Sequence, residues 1–432
     1  MITRIRGEFT RSILPPSPTG NPAVNLLGTS LGKPSIFSMD GSLLARGILL
    51  LGASRSGKSF TQEKIIKQIR ENMKPHDLLV ILDTKGDYAR KFYRPDQDCI
   101  LGTGGPYKPT VRWNIFRDCS FGCTNRQSLE QRIRMIASRI FCKENLETPY
   151  FTDAPRRTLE IVLDALLHHP NLLPEGAVLD NAGLLAFIRR GNWSALINQC
   201  NSPEEVKAYI GDDPQKRTST ERSVLAELEI NISEQLCSSW AGHGEFSILQ
   251  CEKERRIPTL FLQYDQQDGG STDQIYQLLI DLLLISFLSE GNKDYKLYLF
   301  LDEIHVLGKS PEFLIRTLNY GPGIGLGCIC AGAQSLAQLH QLCGKAGAAS
   351  LLAGLQTRIM FHVEDSISRD FVKDQCGDVQ TQIISYSPGI SINTRTGDLQ
   401  PAISDMELTT LSVGEAIIKQ PSYPAFFFQF KK

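Results

Sequence analysis

Gly52-Ala53-Ser54-Arg55-Ser56-Gly57-Lys58-Ser59 decides how this chain folds. Just before it, Ile48-Leu49-Leu50-Leu51 is a short continuous apolar run, the pattern of a strand buried on both faces. Just after it, residues 59–72 place apolar side chains at helical spacing. Glycines let the backbone wrap a phosphate chain, so that consecutive N–H groups point at the anion. The helix that starts at the loop adds its positive end. Lys58 is placed to neutralise β- and γ-phosphate charge, and Ser59 to hold Mg²⁺. The pattern predicts binding of ATP with Mg²⁺ by Gly52, Ala53, Ser54, Arg55, Ser56, Gly57, Lys58, Ser59 and Phe60. A chance glycine turn is the competing reading, and the strand and helix on either side argue against it.

Outward from the loop, Leu78-Leu79-Val80-Ile81-Leu82 reads as a second buried strand ending at Asp83. Strand, helix and strand within about 35 residues make a βαβ unit. Further apolar runs follow at Thr259-Leu260-Phe261-Leu262, Leu297-Tyr298-Leu299-Phe300-Leu301, Gly327-Cys328-Ile329-Cys330-Ala331 and Arg358-Ile359-Met360-Phe361. The tail, with Ala416-Ile417-Ile418-Lys419 and Ala425-Phe426-Phe427-Phe428-Gln429-Phe430, reads as a closing hairpin. Residues 119–250 are helical in pattern and mildly acidic, with 13 Lys/Arg against 17 Asp/Glu. The expected organisation is an N-terminal arm or small β region over 1–45, an α/β nucleotide-binding domain over 46–118 and 251–432, and an inserted all-helical domain over 119–250.

The 432 residues carry a net charge of −1, so no global basic field holds nucleic acid. Any DNA contact must come from a local patch or from an oligomer. Basic pairs in the helical stretch, Arg132/Arg134, Arg156/Arg157, Arg189/Arg190 and Lys216/Arg217, are either solvated faces or phosphate contacts that converge in a ring. The eleven cysteines show no zinc-finger spacing, which points to a reducing compartment without a disulfide framework. No signal peptide is read at Met1. The greasiest segment, 278–288, is about half the ~20 residues a membrane span needs, and Asp281 interrupts it. It reads as a buried helix, so no membrane span is expected in this chain and the cytoplasm is the expected location.

Asp302-Glu303 closes the run at Leu297–Leu301. A carboxylate at such a strand end lies beside the phosphate loop in this sheet type. Asp302 is placed to hold the Mg²⁺ shell, and Glu303 to polarise an attacking water. Gln334 follows the next strand and is placed to sense the γ-phosphate or orient that water. Asp83-Thr84-Lys85-Gly86-Asp87 lies on the edge where open α/β sheets bind ligands. There Asp83 and Lys85 face either the nucleotide or a neighbouring subunit, or form a plain solvated turn. His305 lines the site or packs, and His168-His169 caps a helix end.

These motifs together resemble the conjugative coupling ATPases of type IV secretion (TraD/TraG-like), relatives of the FtsK and HerA DNA pumps. The carrying pieces are GASRSGKS from Gly52, DTKGDYARKFYRP from Asp83, WNIF from Trp113, LDEIHVLGKSPEF from Leu301, GPGIGLGCICAGAQS from Gly321 and LQTRIMFHVEDSISRDFV from Leu355. Within the helical stretch, TPYFTDAPRRTLEIVLDALL from Thr148 and TSTERSVLAELE from Thr218 match as well. The resemblance implies a RecA-like P-loop ATPase domain with a mostly parallel central sheet plus an inserted all-α domain. It further implies a homohexameric motor that moves DNA, single-stranded by preference, or a relaxase–DNA complex toward a secretion channel. Contact with channel components would bring it to the cytoplasmic face of the inner membrane.

Two departures qualify the resemblance. Family members usually begin with transmembrane helices, which are not seen here, so the chain is read either as truncated or as a soluble member. Many relatives also carry an arginine finger in the turn that here reads Gly321-Pro322-Gly323-Ile324-Gly325. Arg316 and Arg358 are the substitutes that remain. Two other readings stay open: a soluble HerA/FtsK-like DNA pump in repair or defence, and a nucleotide-gated adaptor that recruits protein substrates to a secretion machine.

Overall fold

The computed structural model describes residues 2–6, 10–17, 20–141, 150–264, 270, 272–289, 294–307, 311–387 and 391–431. Residues 148–149 and 308–310, quoted above inside longer stretches, and Cys142 lie outside the described residues. Two compact units emerge, one from residues 1–82, 290–305 and 309–432, the other from 83–289 and 306–308.

Among the described residues fourteen strands are numbered in chain order: β1 Ile2–Arg6, β2 Val24–Ser30, β3 Lys33–Met39, β4 Ile48–Leu51, β5 Leu78–Asp83, β6 Cys99–Gly102, β7 Thr259–Gln263, β8 Leu297–Leu301, β9 Leu326–Ala333, β10 Thr357–Met360, β11 Asp378–Ser387, β12 Ser391–Pro401, β13 Glu415–Lys419 and β14 Phe426–Phe430. In the first unit the sheet runs β3-β2-β14-β13-β10-β4-β9-β8-β5. From β10 to β5 all neighbours are parallel. The strands β4, β5 and β9 are buried at every residue, as a sheet covered on both faces requires. Cys328 and Cys330 are buried free thiols in β9.

Antiparallel strands finish the other flank. The tail forms the expected hairpin, with Ile417 opposite Phe427. The described part of residues 1–45 includes β1, β2 and β3. The β2–β3 hairpin docks on β14, where Gly28 faces Phe430. A Cβ on Gly28 would stand 2.2 Å from Gln429 O, so only glycine permits that approach. In a separate three-stranded sheet, β1 pairs with β11 and β11 with β12.

The second unit carries the parallel pair β6–β7 and a helical run described over residues 115–141 and 150–254. The run starts with the helix Ile115–Ser120, a few residues before position 119, because Asn114 caps it through the N–H groups of Phe116 and Arg117. Its hub is Asp118. The buried carboxylate accepts from Trp113 Nε1 at 2.7 Å, Ser247 Oγ at 2.5 Å, and the N–H groups of Leu249 and Ile248 at 3.1 and 3.2 Å. These bonds join the two ends of the run, more than a hundred residues apart. The greasy 278–288 segment belongs to the buried helix Asp273–Ser289. No helix among the described residues is long and apolar enough to cross a membrane.

Candidate functional site

At the end of β4 the chain turns immediately, and both flanking strands hold the turn. Gly52 N–H donates to Ala333 O at 3.1 Å, and Ala53 N–H donates to His362 O at 2.8 Å. A Cβ on Gly52 would lie 2.7 Å from Phe361 Cβ, so the loop's first glycine is required by packing. The loop then passes through Arg55 at φ 61° and Gly57 at φ 121° before the helix Lys58–Asn72 begins.

Lys58 is buried and folds back over the loop. Its Nζ donates to Gly52 O and, at 3.0 Å, to Ala53 O. Ser54 and Arg55 are exposed at the loop crest, while Ser59 and Phe60 are half-buried in the first helical turn. Lys64 Nζ lies 4.5 Å from the Phe60 ring centroid. The Ser56 hydroxyl is buried and has no hydrogen-bond partner. A buried hydroxyl beside a buried ammonium, at a helix N-terminus, is a donor set suited to a phosphate oxygen. The residues present therefore fit a nucleotide phosphate chain.

One side of this loop was not foreseen. Gly414 N–H donates to Ser56 O at 2.8 Å. A Cβ on Gly57 would stand 3.1 Å from both Gly414 Cα and Gly414 N. The turn before β13 thus braces the phosphate loop from the far end of the sequence. No local pattern signals it.

The carboxylates fall where the strand argument put them. Asp302 and Glu303 are both buried immediately after β8. A Cβ on Gly332 would stand 2.1 Å from Asp302 O, so the ends of β8 and β9 meet backbone to backbone. Gln334 leaves β9 at that point, and its Nε2 donates to Glu303 Oε1 at 2.9 Å. On the other side, His305 Nδ1 lies 3.5 Å from Glu303 Oε2, while the ring stays 41% exposed. Burial pushes the Glu303 carboxyl up, but hydrogen bonds from His305 and Gln334 and the Lys58 charge outweigh it and hold it below the usual carboxylate value. Lys58, Glu303 and Gln334 therefore belong to one electrostatic site. His305 joins them, and its spacing two residues after Glu303 was the only signal for it.

The remaining residues stand apart. Arg316 is exposed on the helix Glu312–Tyr320 and pairs with Glu312 at 2.6 Å. Arg358 is tied inside its own unit, to Leu352 O at 2.8 Å and to Gln375. Of the two, Arg316 is the exposed one. Asp83 and Lys85 belong to the second unit. There the Asp83 carboxylate accepts from Ala89 N–H at 2.8 Å and anchors the helix Asp87–Phe92, and Lys85 is exposed on the turn. His168 ends its helix by approaching Asp164 O at 2.9 Å.

A profile of the family described as "Type IV secretion-system coupling protein DNA-binding domain" matches residues 34–424. The chain belongs to this family. Coupling protein TraD of Escherichia coli (strain K12) is similar, at 21% identity over 345 residues covering 76% of this chain. That match spans 43% of TraD's length. Among solved structures, the unbound bacterial conjugative coupling protein TrwBdeltaN70 superposes with a TM-score of 0.71 at 18% identity, covering 100% of this chain and 92% of that one. Plasmid coupling protein TrwB in complex with ADP and Mg²⁺ gives 0.67 at 17% identity, with 100% and 94% covered. The coupling-protein fold, α/β with a mostly parallel central sheet and a helical region, is thus shared along the whole chain.

Proposed function

We propose that this coupling-family chain is an ATP-hydrolysing motor that moves DNA, or a DNA–protein substrate, toward a type IV secretion channel. The working form in this reading is a homohexamer, held at the cytoplasmic face of the inner membrane by partners. One observation carries it: the Glu303 carboxylate is fixed between Gln334 and His305 and feels the charge of Lys58. That arrangement suits hydrolysis better than simple retention of a nucleotide.

Each residue then has a role. The loop from Gly52 to Ser59, with Phe60 behind it, holds the phosphates, and Lys58 releases its own loop carbonyls to meet them. Ser59 and Asp302 hold Mg²⁺, which would offset phosphate charge. Glu303 accepts a proton from the attacking water, and Gln334 orients both. Arg316 reaches the neighbouring subunit's site. Asp83 and Lys85 contribute at the nucleotide or at the subunit boundary. The 119–250 segment acts as a helical module inserted in the ATPase domain. A relative solved with ADP and Mg²⁺ supports the choice of ligands.

The test is ATP turnover with and without DNA across a salt series. Single-stranded DNA is expected to raise turnover, less so at high salt. Turnover indifferent to both single- and double-stranded DNA at every salt concentration would overturn the motor reading and favour the nucleotide-gated adaptor.

A further inference from the structure

We infer that the helix Asp87–Phe92 and the loop 103–110 together form a surface that grips single-stranded DNA, with Tyr107 as a stacking platform and Arg94 and Lys108 as phosphate contacts. The inference rests on the DNA reading above and gives it a place on the chain.

The basic pairs of the helical run are poor candidates for that contact. Seven of their eight residues already have a partner inside the unit. Arg132 donates to Asp118 O, Arg217 donates to Ile210 O, and Arg134, Arg156, Arg157, Arg189 and Lys216 pair with Glu130, Asp153, Glu205, Glu229 and Asp213. Five of the seven sit against a carboxylate and so offer little field to a phosphate, while Arg132 and Arg217 are held to backbone oxygens.

Residues 85–112 differ in composition. They hold six Lys/Arg against three Asp, an excess of three positive charges in a chain of net charge −1. One of the three, Asp98, is buried and turns its carboxylate to the Arg94 N–H at 2.7 Å. Lys91, Arg94 and Lys108 are exposed, as is Arg90, which pairs with Asp87 at 3.4 Å.

Aromatic rings lie among these cations. Tyr93 and Tyr107 pack with centroids 5.2 Å apart, and Tyr93 meets Phe261 edge-on at 6.2 Å. Tyr93 is thereby wedged, while Tyr107 stays 40% exposed. Arg94 and Lys108 directly follow Tyr93 and Tyr107 in the chain, so each of the two packed rings has an exposed cation as its next residue. A positive track with an aromatic ring in it is how sequence-tolerant single-strand binders work, because every base has a face to stack.

The surface is also held in place. Gly86, at φ 71°, lies against the loop so closely that a Cβ there would stand 2.3 Å from Pro106 Cδ. With its amide nitrogen turned toward the loop, Gln263 would donate to Tyr107 O at 3.0 Å and to Gly104 O. A platform already ordered loses little freedom on binding.

The test uses the full chain and a fluorescein-labelled oligothymidylate, read by anisotropy over a KCl series. The double variant Arg94→Gln/Lys108→Gln should lose about tenfold in affinity at low salt, and its log–log salt slope should flatten by about 1.4, or ~0.7 per lost single-strand phosphate contact. Tyr107→Ala should lose about fivefold or more and with it the preference for single over double strands. ATP turnover without DNA should be unchanged in both, which also reports that they fold. Wild-type affinity and slope in both variants would overturn the surface while leaving the DNA reading intact. So would an equal loss in the control Arg189→Gln/Lys216→Gln. A wild-type chain that binds no oligonucleotide at low salt would overturn the DNA reading itself.

Discussion

Gln334 Nε2 donates to Glu303 Oε1 across 2.9 Å and so ties the residues that follow two adjacent parallel strands. The bond leaves Glu303 with one preferred orientation in the site that also feels Lys58. Gln334→Ala removes this constraint and leaves the phosphate loop untouched. Turnover should fall on the order of 10–10²-fold, the cost of a misplaced catalytic group. Affinity for a fluorescent ATP analogue should stay at the wild-type value. Steady-state kinetics beside a binding titration separates the two effects.

Gly57→Ala tests the brace behind the loop. The new methyl would meet Gly414 at 3.1 Å, on a backbone at φ 121° that L residues rarely adopt. Strain of this kind costs roughly 1–3 kcal/mol. Thermal unfolding should show the loss, and nucleotide affinity should fall with it. A wild-type melting temperature would show that the Gly414 turn yields freely.

Much of this site was legible because it is local. The strand before Gly52 and the helix after Lys58 announce themselves by period alone, and Asp302, Glu303 and Gln334 follow from where two strands stop. The closing hairpin at Ile417 and Phe427 and the buried helix containing Asp281 were legible for the same reason. What stayed hidden depends on partners far apart in sequence. Gly28 docks on Phe430, and Gly414 N–H reaches Ser56 O, each across several hundred residues. Arg157 and Arg189 look like free basic spots until Glu205 and Glu229 fold against them. Composition cannot show that neutralisation, nor that Tyr93 and Tyr107 pack against each other.

Arg316→Ala separates a finger from a surface ion pair. Its bond to Glu312 joins side chains that are each more than half exposed, so it adds little to stability. The melting temperature should not move. If Arg316 acts on a neighbour's nucleotide, turnover in the assembled ring should fall by about 10³-fold or more, the scale of an arginine finger. Turnover measured against protein concentration checks this, and unchanged activity at saturating concentration would remove Arg316 from the role.

Asp118→Ala probes the helical run. The substitution strands Trp113 Nε1, Ser247 Oγ and two backbone N–H groups in the interior. Each unsatisfied buried donor costs about 1–3 kcal/mol, so a loss of roughly 3 kcal/mol or more is expected. Circular dichroism on heating reads it. Because the four donors come from both ends of the run, protease cleavage within residues 119–250 should increase as well.

The central claim is that the phosphate loop and Glu303 form one hydrolytic centre. The most direct measurement sets nucleotide binding beside ATP turnover in Glu303→Gln, with Lys58→Ala as the contrasting variant. The amide keeps the size of the carboxylate but cannot take a proton from water. Glu303→Gln should bind ATP as the wild type does while turnover drops about 10²–10⁴-fold, the range for a lost general base. Lys58→Ala should fail at binding instead. Wild-type turnover in Glu303→Gln would contradict the account.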